Sequence, residues 1–63
     1  MIMSQLNQME LQNLRHLIGA QETSYKKMQT YAQQATDSQV RDYFEKSAQS
    51  AQSTKQQLLS FLN

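Results

Sequence analysis

The chain contains no cysteine, no proline and no tryptophan, and only one glycine, Gly19. Without cysteine, disulfide staples and thiolate metal sites are excluded. With a single histidine, a structural zinc site is not expected either. The missing prolines and near-missing glycines remove the residues that most often interrupt helices. β-Branched residues are sparse, limited to Ile2, Ile18, Val40 and four threonines, so a sheet is not expected. The net charge is only +1 and the longest basic run is Lys26-Lys27, which is no block for neutralising phosphates and argues against nucleic-acid binding. No apolar run approaches the ~18 residues of a membrane span. The opening "MIMSQLNQ" lacks the charged, apolar and cleavage regions of a secretory signal. The expectation is a soluble chain of cytoplasmic synthesis.

What is present is a set of strong helix formers, Gln, Leu, Ala, Lys and Met, arranged with a period. Leu11, Leu14, Ile18, Gln21, Tyr25, Met28, Ala32 and Ala35 step by threes and fours, and Leu17, Tyr31, Leu6 and Met3 widen or extend that stripe. This is one face of an amphipathic helix. It predicts a helix over about 4–34, roughly 45 Å long, with Ser4 as its N-cap. The break falls at "QATDSQV", a turn at about 35–37. Two caps are open there. Asp37 can accept from the backbone N–H of Gln39 or Val40, or Thr36 can cap with Gln39 completing a capping box. A second stripe, Val40, Phe44, Ser47, Ala51, Thr54, Leu58 and Phe61, with Ala48 and Leu62 beside it, predicts a helix over about 38–62.

Inside that second helix lies "SAQSAQSTKQQ", residues 47–57, which has no strong hydrophobe and resembles a linker by composition. Its periodicity continues that of its neighbours, with small residues where large ones would be expected. Left loose, it would strand Leu58, Leu59, Phe61 and Leu62 on a tail. It therefore reads as helix, kept slim so that bulky groups can press against it. A short connection makes the two helices antiparallel neighbours. Folding about position 36 sets Tyr25 against Ser47 and Ala48, Gln21 against Ala51, Ile18 against Thr54, and Leu14 against Leu58.

A chain of 63 residues buries only about 60% of the surface that it exposes unfolded. Below roughly 70–80 residues a core rarely contributes more than ~3–5 kcal/mol without a staple or a partner. With disulfides and zinc set aside, oligomerisation remains. The expected fold is all-α, a single domain over 1–63: an antiparallel two-helix hairpin that dimerises into a four-helix bundle. Its packing residues are Leu11, Leu14, Ile18, Tyr25, Met28, Phe44, Ala51, Leu58 and Phe61.

The chemistry available is thin. Glu10, His16 and Glu22 are the candidates on the first helix for metal ligation or acid–base work, but the Glu-x-x-His spacing of carboxylate di-metal bundles is absent. Glu22–Lys26 and Asp42–Lys46 stand at i,i+4 and read as surface ion pairs. Gln21 sits in the stripe, either as a polar contact that fixes register or as a wet midpoint. Met3, Met9 and Met28 read as gap fillers, and Tyr25, Tyr31 and Tyr43 as core-edge aromatics with hydrated hydroxyls. No nucleophile elbow or glycine loop accompanies His16. The reading is not an enzyme, with no catalytic, cofactor-binding or metal-ligating residue assigned and no cofactor expected.

From about Leu6 onward the sequence resembles the small spore-coat protein F-like family of spore-forming Firmicutes. The resemblance is carried by the "LRHLI" segment Leu14–Ile18, Tyr31-Ala32, the cap Asp37, and "QLLSFL" at Gln57–Leu62. Many relatives have Pro after the capping Asp, where this chain has Ser38. The resemblance implies a ferritin-like bundle without its metal ligands, and a structural or assembly role in the spore coat, with other coat proteins as partners. One alternative that it raises is a ferritin-like metal-binding protein. A competing resemblance, ranked below the coat one, is to the small sporulation aspartyl-phosphate phosphatases, partners of response regulators, whose Ser-Gln-Glu-Leu-Asp is matched here by Ser38-Gln39-Val40-Arg41-Asp42 with two departures.

Overall fold

The computed structural model describes residues 6–62. Two helices make up the fold, α1 (Gln8–Gln34) and α2 (Ser38–Ser60), packed side by side as a hairpin. The segment 47–57 is helical throughout, as its periodicity requires.

α1 starts later than the expected Ser4 or Gln5, and Ser4 itself lies outside the described residues. Asn7 is the N-cap. Its side-chain oxygen accepts from the Glu10 backbone N–H at 2.7 Å, and Glu10 accepts from the Asn7 backbone N–H at 3.2 Å. This reciprocal box satisfies two donors that a helix start otherwise leaves unpaired, and the Glu10 charge suits the positive end of the helix dipole. α2 ends at Ser60 with Phe61 as its C-cap, within the two-residue scatter usual for helix ends.

The turn needs neither glycine nor proline: no residue in it has a positive φ, and the two that flank Thr36 are extended. Ala35 (φ −71°, ψ 131°) ends α1, and its N–H still bonds back to the Tyr31 and Ala32 carbonyls. Asp37 (φ −84°, ψ 130°) starts α2, its carboxylate accepting from Gln39 N–H at 2.8 Å and Val40 N–H at 3.1 Å. Of the two caps open in the sequence, Asp37 is the one used.

The register differs from a fold about position 36, which sets Phe44 opposite Met28 and Glu22 opposite Ser50. Instead Phe44 meets Tyr31, ring centroids 5.3 Å apart, and Glu22 reaches Lys55 at 3.8 Å. The displacement is close to one helical turn. Much of it follows from side-chain direction. Each helical side chain leans toward its own N-terminus and covers the surface about one residue back. In an antiparallel pair the two leans add, so meeting residues lie farther along both helices than their Cα heights suggest.

The interior is narrow. Buried residues are Leu14, Ala32, Ala48 and Ala51, and among the described residues no large side chain is fully enclosed. The alanines let the helix axes approach, but each brings little apolar area to the contact. The shape follows: extents of 47 × 16 × 11 Å and a radius of gyration of 14.5 Å, against about 11 Å for a compact domain of this length. The hairpin is a two-helix slab.

A candidate helix-association surface

The slab has two broad faces of opposite chemistry. One is polar. It carries Arg15, Glu22, Gln29 and Gln33 from α1, with Arg41, Glu45, Gln49, Gln52 and Lys55 from α2. Glu22 sits between Lys26 on its own helix at 3.7 Å and Lys55 on the other at 3.8 Å. Gln29 donates from Nε2 to the Tyr25 hydroxyl at 2.8 Å. An open cleft of about 460 Å³ runs along this face, floored by Ala32 and Ala48 and edged by Tyr25, Gln33, Arg41 and Glu45. Charged and amide groups reaching into water keep this side solvated.

The other face is formed by residues sharing one helical phase: Asn13, Leu17, Ser24, Met28, Tyr31 and Ala35 on α1, and Val40, Tyr43, Ser47, Ser50, Thr54 and Phe61 on α2. The residues named are uncharged, and the charge that shares their phase is Glu10, one heptad before Leu17 at the open end of the hairpin, where the Asn7 capping box holds it. Five of them, Leu17, Tyr31, Val40, Tyr43 and Phe61, are large apolar side chains left at least two-fifths exposed, with Tyr43 at 66%. At its turn end the face is an aromatic platform. Phe44 lies between Tyr31 and Tyr43, with centroids at 5.3 and 5.7 Å and rings inclined by 58° and 65°, the tilted geometry favoured by aromatic quadrupoles. Beside it a shallow pocket of about 300 Å³ is lined by Tyr31, Gln34, Ala35, Val40 and Phe44.

The expected packing residues divide between these surroundings. Leu14 and Ala51 are buried between the helices. Leu11, Ile18, Tyr25, Met28, Phe44 and Leu58 are half-buried, and Phe61 at the C-cap is exposed. Ala32 and Ala48 are as buried as Leu14, although the packing set omits them. Their place in or beside the stripes was the available signal, and small size obscured it. Gln21 is half-buried rather than enclosed.

Elsewhere the surface offers little chemistry. The i,i+4 pairs read from the sequence are present, Glu22–Lys26 at 3.7 Å and Asp42–Lys46 at 3.0 Å. Among the described residues no three of His, Asp and Glu gather into a group that could hold a metal ion, and no helix is long and apolar enough to cross a membrane. His16 stands with Arg15, Gly19, Ala20 and Thr23 around an open hollow on the outer side of α1. Comparison with protein-family models, with curated proteins and with solved structures returned no match.

Proposed function

We propose that the protein is a non-catalytic association module whose hairpin pairs with a second hairpin to complete a four-helix bundle. On the resemblance carried by Leu14–Ile18, Tyr31-Ala32, Asp37 and Gln57–Leu62, we propose that the assembly it serves is the spore coat. One observation carries the association reading: five large apolar side chains stand exposed on a face whose single charge, Glu10, lies at its open end, while among the described residues only Leu14 and three alanines are buried. The accessible surface, 4928 Å², exceeds the about 4,200 Å² that size scaling assigns to a folded monomer of this mass. Docking two such faces removes water from both, which is the main favourable term in association.

Sedimentation equilibrium tests the association reading, with a dimer expected at micromolar concentration. Tyr43→Lys, on the apolar face, shifts the chain toward monomer, whereas Gln49→Lys on the polar face leaves the dimer intact. A folded wild-type monomer, or the reverse ranking of the two variants, overturns it. The coat assignment is tested separately, by detecting the protein in coat extracts of purified spores. Its presence in the soluble core fraction alone rejects that placement.

A further inference from the structure

We infer that the occupant of the apolar face is a second copy of this chain, related by a two-fold axis lying across the helices at the level of Ser24 and of the Ser50–Ala51 peptide. α1 then packs antiparallel on α1 of the other copy and α2 on α2, with the two turns at opposite ends of the assembly. This rests on the association reading above and adds its geometry.

A self-complementary two-fold interface requires that if one residue meets a second, the second meets the first. The apolar residues of the face are spaced that way. On α1, Leu17 and Tyr31 flank Ser24 at equal distances in sequence. Laid antiparallel on its copy about Ser24, α1 sets Leu17 on Tyr31, Asn13 on Ala35, and Ser24 on itself. On α2, Val40 with Phe61, Tyr43 with Leu58, and Ser47 with Thr54 all share one midpoint, between Ser50 and Ala51. Large groups meet large groups, and small ones meet at the centre.

The two midpoints also lie at the same height in the hairpin. Tyr31 packs on Phe44. Two turns farther from the loop on each helix, Ser24 comes opposite Ala51, so one axis serves both helices. The area is sufficient as well: a face 47 Å long and 16 Å wide spans about 750 Å², close to the ~800 Å² per partner of a standard stable interface. The other two-fold, parallel to the helices, gathers the rings of Tyr31, Tyr43 and Phe44 from both copies at one end. The far end would hold Leu17, Leu58 and Phe61, two rings in the dimer against six at the turn end, giving an interface of uneven thickness.

The absence of native cysteine permits a direct test. Thr36→Cys, exposed in the turn, takes a nitroxide label away from the face. The turn lies twelve residues from the Ser24 level, about 18 Å at 1.5 Å per residue. The expected label-to-label distance in the dimer is therefore about 35–40 Å, and the parallel two-fold predicts less than about 20 Å. Sedimentation of the same labelled sample separates the failures. A dimer with the short distance overturns the axis proposed here and leaves the association reading standing, whereas a folded monomer removes both.

Discussion

Glu22 of α1 and Lys55 of α2 are joined by an ion pair of 3.8 Å that crosses the hairpin on its polar face, with the Lys55 side chain only 24% exposed. Its aliphatic stem lies along the seam while its ammonium reaches a carboxylate already shared with Lys26. Two contributions are thus combined in one residue, and substitution can separate them. Lys55→Met keeps the stem and deletes the charge, and changes stability by less than about 1 kcal/mol, the usual worth of a solvent-facing pair. Lys55→Ala removes the stem as well and costs more. Urea denaturation of both variants checks the ranking, and equal losses would mean that the charge dominates.

Asp37 supplies two of the hydrogen bonds at the start of α2, and no glycine or proline assists the turn. Asp37→Ala destabilises the protein by about 1 kcal/mol, and Asp37→Asn, which keeps an acceptor, by less. Thermal melting followed by far-ultraviolet circular dichroism measures both.

Gly19 lies in the interior of α1 without a positive φ, and a Cβ built there meets nothing within 4 Å. Gly19→Ala therefore stabilises by roughly 0.5–1 kcal/mol, through lower entropy of the unfolded chain and better helix propensity. A higher denaturation midpoint with an unchanged slope is the expected result. A loss of stability would point to a neighbour packed on that surface.

Ala48 is the most buried residue described, at 4% exposure. Ala48→Leu forces the helices apart or the side chain out of its rotamer, at a cost of about 1–3 kcal/mol. Ala48→Ser, of similar size, costs less. Chemical denaturation resolves the two, and a neutral Ala48→Leu would mean that the seam has room to spare.

Much of the architecture was legible in the sequence, and its gaps have physical causes. Both helices follow from apolar spacing, the Asp37 cap from residue type, and two i,i+4 ion pairs from charge spacing. The Asn7–Glu10 capping box was equally visible as a pattern, but the apolar residues before it pointed to an earlier start. Register was misplaced because counting from the turn treats side chains as perpendicular to the helix, whereas their lean toward the N-terminus moves Phe44 onto Tyr31. The candidate surface was half legible. Leu17, Tyr31 and Tyr43 flanked the expected seams, yet only the three-dimensional register shows that they share one largely apolar face with Val40 and Phe61.

If two hairpins pair as proposed, the alanine seam described above also links the protein's integrity to its own abundance. An isolated hairpin encloses little apolar matter, and the stabilisation that pairing brings grows by mass action. Dilution then does more than separate two copies, because it lowers the melting temperature of each. A cell making such a chain would obtain the most ordered material when synthesis is abundant.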